Sequence, residues 1–150
     1  MALAGPLAGA RTIALDTSPF IYLLEQHARF FAVVGPIFAE LDAGAVSGVT
    51  SVITLLEVLV KPLETGATTL ADDFRATIAA APSLRVVDVD RAIAERAAAI
   101  RAVHKFRTPD AIHLATAELA GADVFVTNDE RLVRFVGVKV VSLSSLLAVP

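Results

Sequence analysis

The apolar residues of this chain alternate between short, strand-like runs and longer stretches with a helical period. Residues 12–16 have the pattern of a short buried strand, and the β-branched run 84–89 has that of another. Each run is followed by a helical stretch, which is typical of an α/β protein with helices on both faces of its sheet. We therefore predict a three-layer α/β/α sandwich around a central, mainly parallel sheet of four to five strands.

Capping and helix-breaking residues predict where the elements begin and end. Thr17 begins a helix, Gly44 and Gly121 each end one, and Pro62 helps to stop another near residue 60. The remaining predicted helices cover residues 30–43, 51–60, 69–80, 90–106 and 108–119, and the remaining predicted strands cover residues 45–50, 124–127 and 139–142.

Length and composition limit the class of protein. We interpret the 150 residues as one domain, 1–150, in which residues 1–10 form a loose extension. A hydrophobic fraction of 55% excludes a disordered chain, and Glu57 interrupts the most apolar run, 52–60, so we expect no membrane-spanning helix. The chain has no cysteine, which excludes thiolate chemistry and favours a cytoplasmic location. A net charge of −3 argues against a broad basic surface for nucleic acid.

Three aspartates are predicted to lie at one edge of the sheet. Asp16 ends the first strand, and Asp129 follows the strand 124–127. The carboxyl ends of parallel strands border the crevice in which open α/β sheets bind ligands. Asp110 lies in the first turn of a crossover helix, which begins at the same edge. Taken singly, each aspartate is also explained as a helix cap, a turn residue or a partner of the helix dipole.

Glu57 lies inside an apolar helical stretch, so we expect its side chain to be partly buried. Removing a carboxylate from water costs roughly several kcal/mol unless a cation or hydrogen-bond donors meet it. Four carboxylates at one edge would also repel one another and raise their own pKa values. Mg²⁺ or Mn²⁺, which prefer oxygen ligands, would offset this repulsion. The four acids together therefore predict a divalent-metal site.

Four segments of the chain resemble the PIN domain, and in particular the ribonuclease toxins of bacterial VapBC toxin-antitoxin pairs. They are IALDTSPFIYLLE at 13–25, SVITLLEVLVKP at 51–62, TPDAIHLATAELAGAD at 108–123 and VFVTNDERL at 124–132. Each segment alone is a weak signal, but all four occur in the family's order and span most of the chain. The last one departs from the pattern, because it lacks the second acid and the aromatic residue that many members carry.

The resemblance implies an activity, a site and partners. The implied activity is hydrolysis of RNA phosphodiester bonds with Mg²⁺ or Mn²⁺ as the cofactor, by the toxin of a type II pair. The implied partners are an RNA substrate, a cognate antitoxin and a second copy of the chain in a homodimer. The implied catalytic and metal-binding residues are Asp16, Glu57, Asp110 and Asp129, supported by Thr17 and Thr127.

Basic residues near the acids are candidates for binding the RNA backbone, because an acidic pocket alone repels a polyanion. We single out Arg107, Lys105 and Arg131, although a solvated helix end explains the first two equally well. His113, one helical turn after Asp110, is interpreted as a packed or hydrogen-bonded histidine rather than a metal ligand.

Two other kinds of function remain open from the sequence. A catalytically inactive PIN-like module could keep the fold for binding or scaffolding, although the presence of all four acids argues against it. An aspartate-based phosphotransfer domain would also place an acid after its first strand. Its dehalogenase form requires a second aspartate two residues later, where this chain has Ser18. Dinucleotide binding is excluded because no glycine-rich turn follows any predicted strand.

Overall fold

A computed structural model describes residues 3–147, which contain five β-strands and seven α-helices. The strands are β1 (Thr12–Leu15), β2 (Ser47–Ser51), β3 (Leu84–Val87), β4 (Val124–Thr127) and β5 (Lys139–Ser142). The helices are α1 (Thr17–Leu24), α2 (Phe31–Asp42), α3 (Val52–Thr65), α4 (Thr68–Ala80), α5 (Arg91–His104), α6 (Thr108–Leu119) and α7 (Leu143–Leu147).

The strands form a single sheet in the order β3-β2-β1-β4-β5, and every pairing is parallel. β1 lies at its centre, where its apolar side chains are buried on both faces, as expected for a strand of a covered parallel sheet. Ile13 and Leu15 pack with α1 to α4 and α7, while Ala14 packs with α5 and α6 on the other face. The predicted three-layer α/β/α architecture is confirmed.

Several predicted boundaries differ from the structure. α3 does not stop near residue 60 but continues through Pro62 to Thr65, because Gly66 supplies the left-handed conformation that ends it, with φ 72°. The residue that caps α1 is Asp16, whose side chain accepts the amide of Thr17. The short helix α7 had no sequence signal that we recognised.

The N-terminal segment is packed in part, rather than loose, within the residues that the structure describes. A 3₁₀ turn covers Gly5–Leu7, and the side chain of Leu7 is buried in the core beside α7. Met1 and Ala2 lie outside the described residues. Across residues 3–147, no helix combines the length and the apolar character needed to cross a bilayer, as expected from the sequence.

Candidate active site

All four predicted acids line one cavity at the carboxyl edge of the sheet. The cavity has a volume of about 440 Å³. Asp16 follows β1, Asp129 follows β4, Glu57 comes from α3, and Asp110 comes from the first turn of α6. β1 and β4 are hydrogen-bonded neighbours, so their carboxyl ends are fixed side by side. The fold therefore brings these acids together from four separate parts of the sequence.

Asp16 is buried and is held by hydrogen bonds to both of its carboxylate oxygens. Oδ1 accepts the backbone amide of Thr17 at 2.8 Å, and Oδ2 accepts the hydroxyl of Thr127 at 2.6 Å. The same Thr127 hydroxyl oxygen accepts the backbone amide of Asp129 at 3.0 Å. Thr127 thus connects the acid after β1 with the loop after β4.

Glu57 is held by side chains from α1 and α6. Its Oε1 accepts the Thr17 hydroxyl at 2.8 Å and lies 2.7 Å from Nε2 of His113. Burial raises the pKa of Glu57, but the hydrogen bonds from His113 and Thr17 and the charge of His113 outweigh burial, and the pKa is lowered. Glu57 therefore stays ionised in a half-buried position.

His113 is buried between two of the acids. Its Nε2 donates to Glu57 and lies 3.6 Å from Oδ1 of Asp16. Burial lowers the pKa of His113, but the hydrogen bond to Glu57 and the charges of Asp16, Glu57 and Asp110 raise it overall. Its Nδ1 is the buried side-chain polar atom that finds no hydrogen-bond partner among residues 3–147. The structure shows the hydrogen-bonded role that the sequence favoured.

Asp110 lies in the first turn of α6, and its side chain is largely buried. Oδ2 accepts the Nε–H of Arg107 at 3.3 Å. Burial raises the pKa of Asp110, Arg107 lowers it, and the charges of Asp16 and Asp129 raise it, with a net upward shift. The predicted repulsion between carboxylates is therefore present at this residue.

Asp129 caps a short 3₁₀ helix, Glu130–Arg134, and forms a two-pronged ion pair with Arg131. Arg131 Nε donates to Oδ1 at 3.0 Å and Nη2 donates to Oδ2 at 2.6 Å. The hydrogen bonds from Arg131 lower the pKa of Asp129 more than its partial burial raises it. The charge of Asp129 is thus already balanced by a cation of the same chain.

These contacts correct one expectation from the sequence. We expected a metal ion to be the cation that makes the crowded acids tolerable, but Arg107, Arg131 and His113 each pair with one of them. Within residues 3–147, no group of three or more His, Asp or Glu side chains is placed so that it could hold one ion. The donors still fit Mg²⁺ or Mn²⁺ in chemical type, because the four predicted carboxylates, the carboxylate of Glu130, which the sequence did not single out, and the hydroxyls of Thr17 and Ser18 line the cavity.

The predicted basic residues are not all at the cavity. Arg107 and Arg131 line it, whereas exposed Lys105 does not and instead ends α5 in a left-handed conformation with φ 61°. Arg134 lies over the ring of Phe106, 4.6 Å from its centroid. Two of the three proposed RNA-binding cations are therefore positioned near the acids.

Several positioning contacts were missed from the sequence. The Thr50 hydroxyl donates to the carbonyl oxygen of Leu15 at 2.9 Å and lies 2.7 Å from the Thr54 hydroxyl, which fixes α3 beside the end of β1. Asn128 donates to the Tyr22 hydroxyl at 2.8 Å. The available signal was a polar residue at or just after the end of an apolar strand, but Leu15 lies 35 residues from Thr50 and Tyr22 lies 106 residues from Asn128.

Comparison with known protein families gives a match to the PIN domain over residues 13–138. The chain belongs to the PIN domain family. This membership confirms the resemblance seen in the four sequence segments and argues against the phosphotransfer alternative, which belongs to other folds. A search among curated proteins gave no match.

Solved structures with the same fold include several from toxin-antitoxin systems. A toxin-antitoxin complex from Klebsiella pneumoniae is 26% identical, with a TM-score of 0.66, and the match covers 87% of this PIN chain and 97% of that one. VapC20 of Mycobacterium tuberculosis, described as a toxin that cleaves the sarcin-ricin loop, is 20% identical, with a TM-score of 0.67 and coverage of 85% and 98%.

VapBC2 of Rickettsia felis, solved with a DNA fragment of its promoter, is 14% identical, with a TM-score of 0.66 and coverage of 87% and 98%. At identities of 20% and below, these two structures establish the shared fold. The sheet and helices described above are therefore those of a PIN domain.

Proposed function

We propose that this PIN domain is a metal-dependent ribonuclease that hydrolyses RNA phosphodiester bonds and acts as the toxin of a type II toxin-antitoxin pair. One observation carries the proposal: Asp16, Glu57, Asp110 and Asp129 converge on a single cavity although they come from four parts of the chain. A surface role for each acid separately would not require this convergence. Similarity to toxins, including one that cleaves the sarcin-ricin loop, supports the choice of RNA as substrate.

The four acids would supply the oxygen ligands for Mg²⁺ or Mn²⁺ after moving from the arrangement described, in which Arg107, Arg131 and His113 pair with three of them. When bound, such an ion lowers the pKa of a bound water molecule and offsets the charge that develops on the phosphate. The chain's own contribution is to orient the ligands. Thr127 and the amide of Thr17 hold both oxygens of Asp16, and the Thr17 hydroxyl and His113 hold one oxygen of Glu57. Two acids are thus fixed before any ligand arrives.

The RNA backbone would approach the cavity beside two cationic side chains. Arg107 and Arg131 both line the cavity and are largely exposed, so their guanidinium groups can reach a phosphate at its mouth. We expect little stacking of bases, because aromatic residues make up only 6% of the chain and none of them is a tryptophan. Recognition would then depend mainly on the phosphate backbone and on shape.

An antitoxin and a second copy of the chain are the proposed protein partners, and the proposed location is the cytoplasm. The complexes from K. pneumoniae and R. felis are toxin-antitoxin assemblies, which supports a comparable partner here. Size-exclusion chromatography with light scattering would test the homodimer directly.

The test of the activity compares wild type with Asp16→Asn. Wild type is expected to cleave RNA with Mg²⁺ or Mn²⁺ and to stop in EDTA, while Asp16→Asn loses cleavage and keeps its circular dichroism spectrum. Equal cleavage by both proteins would point to a contaminating nuclease and reject the proposal. An intact wild type that binds metal and RNA without cleaving any RNA tested would favour the inactive scaffold.

A further inference from the structure

Three acids of the cavity fall into two classes according to the cation that each one meets. Glu57 meets His113, which is buried and fixed within α6. Asp110 and Asp129 meet Arg107 and Arg131, whose side chains are 68% and 67% exposed. The buried imidazole cannot leave its partner without a local rearrangement. Each arginine can swing from its aspartate into solvent by changing only side-chain torsions.

The two arginine contacts are also weak enough to be exchanged. Ion pairs with one exposed partner contribute little to stability, because water competes for the charges and the long side chain loses rotamer freedom. Arginine remains protonated at every pH of interest, so a displaced guanidinium keeps its charge. Its flat array of N–H donors matches phosphate as well as carboxylate. The same group can therefore serve two anions in turn.

We propose that Arg107 and Arg131 exchange partners during substrate binding, from Asp110 and Asp129 to the RNA phosphates. The inference rests on the proposed function and adds a sequence of events to it, in which the divalent ion binds before the RNA phosphates do. Without a divalent ion, the arginines occupy the carboxylates and are not available to RNA. If Asp110 and Asp129 held a divalent ion, both guanidinium groups would be free to meet phosphates at the mouth of the cavity.

The exchange also explains how the cavity avoids two competing problems. Free carboxylates would repel RNA, and permanently free arginines would hold RNA at a site that has no ion. Because the divalent ion would replace Arg107 and Arg131 at the aspartates, the cavity would gain affinity for phosphate only when it holds an ion. RNA binding and ion binding are then coupled through the arginines as well as through the ion itself.

The test measures RNA and metal binding separately for Arg107→Ala and Arg131→Ala. With a labelled RNA oligonucleotide in Ca²⁺, which takes the same oxygen ligands, each variant is expected to bind RNA about fivefold more weakly than wild type. In EDTA the wild-type arginines are engaged with aspartates, so the difference should shrink to less than about twofold, and what is left comes from repulsion of RNA by the bare aspartate of the variant. Fluorescence anisotropy gives both affinities.

Metal affinity should change in the opposite direction. Calorimetric titration with Mn²⁺ alone is expected to show about two- to fivefold tighter binding by either variant, because the competing guanidinium is gone. Arg75→Ala is the matched control. Arg75 also pairs with an aspartate three residues away, Asp72, at 3.0 Å, but on α4 and outside the cavity. The control variant should behave as wild type in every measurement.

Two results would overturn the exchange while leaving the proposed function intact. One is an equal loss of RNA affinity in EDTA and in Ca²⁺, which would mean that the arginines are always available. The other is unchanged or weaker Mn²⁺ binding by both variants. A wild-type protein that binds neither Mn²⁺ nor RNA would instead overturn the proposed function, and the exchange with it.

Discussion

The two edges of the sheet both carry a hollow, but they differ in chemistry. The hollow at the amino edge, beside Thr12 and Ser47, is the larger at about 520 Å³, against about 440 Å³ at the carboxyl edge. Of the described residues that line the larger hollow, Arg85 is the one with a charged side chain. Five carboxylates, those of the four predicted acids and of Glu130, and two arginines line the smaller one. The volume of a hollow therefore does not identify the functional site in this fold. The opposite charges that distant segments bring to the smaller hollow are the better indicator.

An aspartate at the amino edge shows what a purely structural acid looks like here. Asp123 accepts the backbone amides of Arg11 and Thr12 through one oxygen, at 2.8 and 2.9 Å, and these hydrogen bonds lower its pKa. Backbone amides cannot leave without undoing the local fold. Asp110 and Asp129 instead face side chains that can move away. A partner that can move away therefore distinguishes Asp110 and Asp129 from Asp123, which backbone amides hold in place.

The largest effect is expected for Asp110→Asn. Cleavage should fall by about 100-fold or more, the scale seen when a group that stabilises transition-state charge is removed. Stability should be unchanged or higher, because the pKa of Asp110 is raised in the folded state. A raised carboxyl pKa means that the folded state is favoured at low pH and loses that advantage as the pH rises through the folded pKa. Thermal melts of both proteins from pH 4 to 7 test this. A variant that melts lower across that range would contradict the claimed repulsion.

A smaller effect is expected for His113→Leu, which leaves Glu57 without its cation. Loss of this hydrogen bond to a charged group should lower the free energy of unfolding by about 2 kcal/mol. The pKa of Glu57 is lowered from 4.5, so its contribution is lost as the pH falls through the folded pKa. The pKa of His113 is raised from 6.5, so its contribution is complete below 6.5 and is lost as the pH rises through the higher, folded-state pKa. The deficit, measured by urea unfolding, should therefore be largest between pH 4.5 and 6.5. A deficit independent of pH would show that His113 acts by packing alone.

The smallest effect is expected for Asp123→Ala at the amino edge. Losing hydrogen bonds to two exposed backbone amides should cost about 1 kcal/mol or less, since water can replace the carboxylate. RNA cleavage per folded molecule should equal that of wild type. Urea unfolding and a cleavage assay on the same preparation give both values. A large loss of cleavage with full stability would erase the distinction between the two edges.

Much of the fold and the position of the acids could be predicted from local patterns. The run before Asp16 and the run before Asp129 are apolar enough to be central strands, and parallel strands align their carboxyl ends. The predicted end of α3 was wrong, because we expected Pro62 to end the helix. A proline removes only one N–H donor, and the helix continues for three more residues to Thr65.

The partners of the acids could not be predicted in the same way. His113 lies 56 residues from Glu57, and their contact depends on how α3 and α6 pack against the sheet. Arg107 is only three residues from Asp110, but sequence could not tell whether it faces the acid or the solvent. Side-chain direction within a packed site depends on all of its neighbours together, so the balance of charges appears only in three dimensions.

The hydroxyl of Thr127 joins the carboxyl ends of β1 and β4 by two hydrogen bonds. Its oxygen accepts a hydrogen bond from the amide of Asp129 and its O–H donates one to Asp16, so the two hydrogen bonds run one way and each polarises the other. A shift of the chain after β4 is therefore transmitted to the Asp16 carboxylate by this hydroxyl, in addition to the backbone hydrogen bond from Asp16 to Val126. Thr127→Val, which puts a methyl group in place of the hydroxyl, would remove both hydrogen bonds, whereas Thr127→Ser would keep them.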